Sequence, residues 1–533
     1  MAKIEPIVIT FAGGINSRKR PHDISIDECV SGENFELDPQ QRALTKRGAF
    51  DYVATTPNAA EIRGYAQLLK RDGTFTTLIQ SGTNVYSWDG ETTFALVGTV
   101  AATTKMRGPR EHNFLLDDIC IITDLNKATV VKQWDGTTFS TFTHNLGTDL
   151  YAKFARVMNE RLFLANVTSG TATPHVLLGS AIGDDNTLTT ANRPSSSLGF
   201  DAAFYLPMPD LRPINGMEEA FGQFILSTTK GRLFALRGTS AFDFEMAAFY
   251  QGSAVSGDEA MVNIGNDLLL GLEHHIETLS GVVNFGDVET NDASAPIDTN
   301  IEDVVDWRLI YDRHGQRVFC FPDSQAVCWV LYKALLFFGT QRQVAQAQFQ
   351  GALSPWSKWT TNHAMAMQPS TVMVLRHVDS HEHDVVFCGD EGGNIYKFDG
   401  DGDQDGGTAD VTVKRRSGLI QVPNAEIFNV IVNVDYRRTF STTLTLRFIF
   451  AGIEAADATI SFPIAADSTL ATYGGSAYYG GRFYYSESFS GRIRRQQKHI
   501  EGRGNGLQVE IEATSGAEID IQQIEIILQA AQS

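Results

Sequence analysis

Gly82-Thr83-Asn84-Val85-Tyr86-Ser87-Trp88-Asp89-Gly90 is echoed far downstream by Gly392-Gly393-Asn394-Ile395-Tyr396-Lys397-Phe398-Asp399-Gly400. A partial third copy, Val131-Lys132-Gln133-Trp134-Asp135-Gly136-Thr137-Thr138-Phe139, extends the match to Trp88-Asp89-Gly90-Glu91-Thr92-Thr93-Phe94. Each copy alternates as a short strand and ends in an aromatic and Asp-Gly, which supplies the positive φ of a tight hairpin turn. The spacing from Trp88 to Trp134 matches the roughly 40–50-residue period of a propeller blade. Such units bury their faces only by stacking on neighbours, so the repeat predicts the architecture. The tryptophans recur at equivalent repeat positions and read as packing plugs between blades.

Working outward, short strands with Gly, Asn or Asp between them run from about residue 60 to Phe398. They predict an irregular β-propeller of five or six blades over 56–400, with inserted loops at 184–222 and 333–352. The second insertion could also hold the one appreciable helix. Residues 1–55 show little periodicity and read as an extended N-terminal arm. After Phe398, the run Asp399-Gly400-Asp401-Gly402-Asp403-Gln404-Asp405-Gly406 marks a boundary. Longer strands without blade repeats then predict a C-terminal β-sandwich over 408–533. The fold class is all-β.

The 533 residues carry a net charge of −20 with 43% hydrophobic content, which describes a globular protein and argues against tight nucleic-acid binding. An acidic wall past which DNA slides stays compatible with that charge. The five cysteines are scattered without CxxC, so buried reduced thiols are expected rather than disulfides or zinc. Neither a secretory leader nor an apolar run of membrane-spanning length is present, and the sequence reads as a soluble protein made in the cytoplasm.

For chemistry the sequence offers little. Asp401, Asp403 and Asp405 match the start of a calcium loop, but Thr412 stands where Glu should close it; a solvated interdomain turn is the preferred reading. His274-His275 and His381-Glu382-His383 lack an identifiable third ligand. With no GxSxG, P-loop or HExxH, neither catalysis nor a cofactor is expected. Basic clusters at Arg18, Lys19, Arg20, at Lys414, Arg415, Arg416, and at Arg492, Arg494, Arg495 are candidate interface residues, where a basic face would meet an acidic one of the next subunit. Phosphate contact is the other reading of these clusters. The tract holding Tyr473, Tyr478, Tyr479, Tyr484 and Tyr485 is a candidate gate or tip loop.

The arm carries a resemblance. Gly13-Gly14-Ile15-Asn16, then Asn34-Phe35-Glu36-Leu37-Asp38, then Lys46-Arg47-Gly48 resemble the opening of the tail nozzle, tail hub or packaged-DNA stabilisation proteins of short-tailed bacteriophages. Members commonly begin with Gly-Gly-φ-Asn, an Asn-Phe-x-φ-Asp strand and an Arg-Pro-Gly-like turn; here Arg47-Gly48 lacks the proline. The resemblance implies a structural virion tail protein assembled in the bacterial host cytoplasm. It also implies a homohexameric ring below a tail adaptor protein, next to tail fibre or tip proteins. Double-stranded DNA would pass through its lumen without specific binding. An alternative is a glycan-binding, receptor-recognising propeller of a phage tail, with Trp88, Trp134, Trp356, Trp359 and the tyrosines stacking on sugars.

Overall fold

A computed structural model describes residues 2–3, 6–37, 43–108, 118–158, 161–182, 203–229, 231–239, 243–265, 267–281, 288–313, 315–333, 335, 354–361, 367, 369–377, 380–400, 404–421, 425–437, 442–451, 458–464, 493–515 and 519–532. Within them, seven four-stranded antiparallel units follow one another along the chain. Blade 1 holds Ile62–Leu69, Phe75–Ser81, Asn84–Trp88 and Phe94–Thr99. Blade 2 holds Met106–Arg107, Cys120–Asp124, Lys132–Trp134 and Phe139–Thr141, and a parallel contact of Arg107 with Tyr65 joins it to blade 1. Blade 3 is Leu150–Met158, Arg161–Ser169, Thr171–Gly179 and Phe204–Pro207; blade 4 is Ile214–Ala220, Gln223–Thr228, Arg232–Arg237 and Glu245–Gln251. Blade 5 is Met261–Asn263, Asp267–Leu272, His275–Gly281 and Val288–Asp292; blade 6 is Trp307–Asp312, Arg317–Pro322, Cys328–Tyr332 and Trp356–Trp359.

Blade 7 closes the ring. Its first three strands, Thr371–His377, Ser380–Gly389 and Asn394–Gly400, take their fourth from the N-terminal side as Ala49–Thr55. The chain is thus an all-β propeller, with seven blades rather than the expected five or six. The undercount has physical sources. Blade 2 begins with a strand of two residues, too short for any periodicity, and blade 7 is completed from a segment assigned to the arm. The insertion expected at 184–222 is also too long, because Phe204–Pro207 and Ile214–Ala220 are blade strands. Its residues 184–202, and nearly all of the 333–352 segment, lie outside the described residues.

The three sequence repeats occupy one structural position, the third strand of blades 1, 2 and 7. In blades 1 and 2 the Asp-Gly turn forms as expected, with Gly90 at φ 95° and Gly136 at φ 96°. Asp89 Oδ1 accepts the Glu91 and Thr93 amides at 2.8 and 3.1 Å, and Asp135 Oδ1 those of Thr137 and Thr138 at 2.8 and 2.7 Å. In blade 7, Asp399-Gly400 turns no hairpin, because the fourth strand comes from elsewhere in the chain. Each repeat aromatic packs on the preceding blade. Trp88 meets Phe387 of blade 7 edge-on at 5.5 Å, and Phe398 meets Phe319 of blade 6 at 4.6 Å. The Trp134 indole donates to Thr76 Oγ1 of blade 1 at 2.8 Å.

Two further sheets form the sandwich. In one, Ala425–Arg437 lies between Ile493–Gly504 and Asp520–Gln532; in the other, Gly506–Ser515 lies between Ala409–Ser417 and Thr442–Ala451, with Ala458–Ile464 beyond. The arm is not a separate extension. Ala2–Lys3, Ile7–Ile9 and Leu44–Lys46 pair with Asp520–Gln532, and Cys29–Glu33 pairs with Ala409–Ser417. Val430, Val432, Ile524 and Ile526 of one sheet and Leu446, Phe448, Val509 and Ile511 of the other share a buried cluster with Phe11 and Phe35. That cluster continues unbroken into blades 4 to 7. Propeller and sandwich therefore share buried apolar surface, which stabilises by about 25 cal/mol per Å².

Candidate functional site

The arm motifs converge on the seam between blade 6 and the sandwich. At its centre Arg47, fully buried, reaches Asp405, 1% exposed, through a two-pronged ion pair: Nη1 to Oδ1 at 2.9 Å and Nη2 to Oδ2 at 2.7 Å. The same guanidinium donates from Nε to Asn34 Oδ1 (3.0 Å), from Nη1 to the Gly48 carbonyl (2.8 Å) and from Nη2 to the Thr360 carbonyl (2.8 Å). All five of its N–H groups are therefore used. Asp405 also accepts from the Phe50 amide at 3.1 Å and the Thr361 hydroxyl at 2.9 Å. The calcium reading of Asp405 is overturned, since its carboxylate is spent on Arg47 and two further donors. Asp401 and Asp403 lie outside the described residues, and no metal-competent group of three His, Cys, Asp or Glu occurs among those described.

Asn34 adopts a left-handed conformation, φ 60°, that a short polar residue tolerates. Its amide donates to the Lys358 carbonyl at 2.8 Å, and its side-chain Nδ2 to Thr360 Oγ1 and the Thr412 carbonyl, each at 3.0 Å. One residue thereby ties arm, blade 6 and sandwich. Gly14 lies against the outer strand of blade 6: a Cβ there would fall 1.9 Å from the Trp356 carbonyl oxygen. That approach lets the Gly14 and Ile15 amides donate to Ser354 and Trp356, both at 2.8 Å. Asn16 Nδ2 donates to buried Glu28 at 3.0 Å, and the same oxygen accepts the Ser354 amide at 2.8 Å. The seam covers a strand position that blades 1 and 4 leave to solvent. Trp356–Trp359 is mostly buried, whereas Phe94–Thr99 and Glu245–Gln251 are not.

A second polar network, invisible in the sequence, crosses the propeller axis. Glu259, from the loop entering blade 5, pairs with Arg107 of blade 2 (2.7 and 3.2 Å) and Arg308 of blade 6 (3.2 Å). Neighbouring Asp258 pairs with Lys153 of blade 3 at 2.8 Å. Locally, Gly257-Asp258-Glu259 reads as an ordinary solvated turn, and only ring closure brings these cations to it. Beside it, a bowl of about 310 Å³ is lined by Asp258, Glu259, Asp306, Arg308 and Asp323. Burial, followed by Asp323 and Asp258, pushes the Asp306 carboxyl above its ordinary value.

The basic clusters are dispersed. Arg18 pairs with Asp298 at 3.7 Å, Lys19 with Glu28 at 3.4 Å, and Arg20 is exposed. Lys414 is exposed but has Glu33 and Glu512 opposite it on the adjacent strands, and Arg416 has Glu510. Arg415, expected at an interface, is instead 2% exposed, packed over Phe11 and Phe35 at 5.2 and 5.3 Å. It faces inward because residues alternate along Ala409–Ser417, placing it with Val411 and Val413. Arg494 and Arg495 pair in register with Tyr436 and Asp435. Arg492 and the gate candidates Tyr473, Tyr478, Tyr479, Tyr484 and Tyr485 lie outside the described residues.

Other candidates resolve into packing. His275 bonds to Glu277 Oε1 at 3.2 Å, and Glu277 Oε2 accepts from Tyr250 at 3.0 Å. Trp88, Trp134, Trp356 and Trp359 are all buried, so none offers a face to a sugar. The five cysteines are buried and unpaired, and burial pushes the Cys29 thiol up to about 11. No helix among the described residues is long and apolar enough to cross a membrane.

No protein-family model matches the chain, and no curated protein matches it. Among solved structures, it is similar to YCF48 from Cyanidioschyzon merolae at 9% identity and a TM-score of 0.37, covering 66% of this chain and 98% of that one. BBS1N, crystallised in complex with ARL6DN, gives 8% identity, a TM-score of 0.40 and coverage of 67% and 98%. The WD40 domain from Toxoplasma gondii coronin gives 10%, 0.36 and coverage of 69% and 86%. Scores this low carry no weight of their own; the propeller rests on the order of its sheets.

Proposed function

We propose that this chain is a structural subunit of the lower tail tube, or nozzle, of a short-tailed bacteriophage, retaining the packaged genome and conducting DNA during ejection. The observation that supports this most is the place of the arm motifs. The residues that resemble the nozzle family, Gly14 to Asn16, Asn34 and Arg47, supply the bonds that fix blade 6 to the sandwich. A tube wall under the pressure of packed DNA needs such a rigid joint, and the motifs have a mechanical reason to occur together. In this reading the subunit forms a homohexameric ring under a tail adaptor and contacts fibre or tip proteins. Since Glu259 spans the propeller axis, the duplex would run between copies, not through a propeller.

The net charge of −20 suits such a lumen. Duplex DNA carries one charge per roughly 1.7 Å of axis, and screening reaches about 8–10 Å at physiological salt. An acidic wall therefore repels DNA at short range and keeps it centred and mobile. Negative-stain electron microscopy of the purified protein and its parent particle tests the reading. Six-fold rings with an open centre, coaxial with the tail below the adaptor, are expected. A protein that stays monomeric at high concentration and never joins tails would overturn it.

A further inference from the structure

The bowl over the propeller axis, about 310 Å³, is walled in part by the segments that enter blades 2, 5, 6 and 7. Its apolar surface comes from Leu125, Phe321, Pro322 and Pro369, and its carboxylates are Asp258, Glu259, Asp306 and Asp323. Two of these are engaged, Glu259 by Arg107 and Arg308, and Asp258 by Lys153. Asp306 is different. Its side chain accepts the Trp307 amide at 2.7 Å and makes no ion pair among the described residues. Asp323 stands beside it, its Oδ1 accepting the Val305 and Asp306 amides at 3.3 and 3.1 Å. Of the lining cations, Arg308 is held by Glu259 and by the Pro369 carbonyl at 3.0 Å, while Lys105 comes from the entry to blade 2, on the far side of the ring. The rim continues acidic through exposed Glu302 and Asp303, and Val305, next to Asp306, is 53% exposed.

We propose that the bowl docks a basic segment of a partner protein, with one lysine or arginine side chain reaching Asp306 and an apolar neighbour covering Val305. A carboxylate without a counter-charge, set in a concave and partly apolar site, attracts a cation. The aliphatic stem of lysine or arginine suits the apolar walls while its charged end reaches the carboxylate. Burial, then the charges of Asp323 and Asp258, raise the Asp306 carboxyl above its ordinary value, and an incoming cation offsets those charges. A metal ion fits less well, because no three His, Cys, Asp or Glu side chains among the described residues converge to hold one. An acidic segment or a nucleic-acid backbone would be repelled. The docking does not depend on ring assembly, so its failure and that of the nozzle reading are separable.

The test is fluorescence anisotropy of short blocked peptides with the purified full-length protein. One peptide carries a central arginine flanked by leucines, and its counterpart carries glutamate at the centre. Saturable binding of the arginine peptide below about 1 mM is expected, with none for the glutamate peptide. Asp306→Asn keeps an oxygen for the Trp307 amide and should weaken binding about tenfold or more. Val305→Ser should weaken it about threefold, and as a surface change it keeps the test valid if Asp306→Asn unfolds. Asp72→Asn, in an exposed turn of blade 1, should leave affinity unchanged. Absence of saturable binding, equal binding of the two peptides, or wild-type affinity in either bowl variant overturns the proposal. Free arginine amide that displaces the peptide as effectively, mole for mole, as unlabelled peptide would make the occupant a small amine, and likewise overturns it.

Discussion

Arg47 and Asp405 come from segments more than 350 residues apart, yet each is nearly inaccessible and bonded on every side. Removing one partner strands a buried charge, which typically costs about 3–5 kcal/mol, whereas replacing both with apolar residues costs far less. Arg47→Met and Asp405→Leu should each lower unfolding free energy in urea by that order, and the double variant by clearly less than their sum. Strict additivity would show that the pair is not a unit. His275 makes a different, pH-dependent case. Its bond to Glu277 raises its pKa above the ordinary 6.5, with burial acting against the shift. Its contribution is thus fully present below about pH 6.5 and fades as pH rises through the raised value. Glu277, held below its ordinary 4.5 chiefly by His275, contributes above that pH and loses its part as pH falls through the lowered value. The urea midpoint of wild type minus that of His275→Gln should therefore be largest between about pH 4.5 and 6.5. A difference that stays flat to pH 9 would remove His275 from the account.

At the scale of elements, strands whose two faces differ were readable in the sequence, and strands set by distant partners were not. Asn84–Trp88 emerged with its true bounds because alternation, a terminal aromatic and Asp-Gly coincide there. Met106–Arg107 left no pattern, and outer strands such as Glu245–Gln251 face solvent enough to lose their alternation. Of the site, the arm motifs were visible as residues, but their convergence on blade 6 depends on pairing across hundreds of residues. The axial Glu259 network gave no local signal at all. The arm's integration into the sandwich yields a prediction. A fragment of residues 408–533 lacks the strands that cover both edges, Cys29–Glu33 beside Ala409–Ser417 and Ile7–Ile9 with Leu44–Lys46 beside Asp520–Gln532. Open edges of this kind mispair and aggregate. The fragment should lack near-ultraviolet dichroism, and co-expression with residues 1–55 should restore it. A fragment that is soluble and cooperatively folded alone would show the arm to be an accessory.

For the whole molecule, the question is what sign of electrostatic force governs association. The basic clusters would draw an acidic neighbour only if their charge were free, and the structure has used much of it internally. Lys19 is paired with Glu28, Arg18 with Asp298, Arg415 is buried, and Lys414 and Arg416 sit opposite carboxylates on adjacent strands. What remains between copies is the repulsion of subunits carrying −20 each. Such repulsion opposes a ring and is screened within about 10 Å at 0.1 M salt. Apolar and hydrogen-bonded contacts, which salt weakens little, would then supply the attraction. In the nozzle reading, ring formation should therefore rise as sodium chloride increases from about 20 mM to 300 mM, over which the screening length falls severalfold. Mass photometry at fixed protein concentration reads this directly. Rings that dissolve as salt rises would instead identify charge complementarity as the force between subunits, and would return the exposed cations, Arg20 and Lys414 first, to the interface.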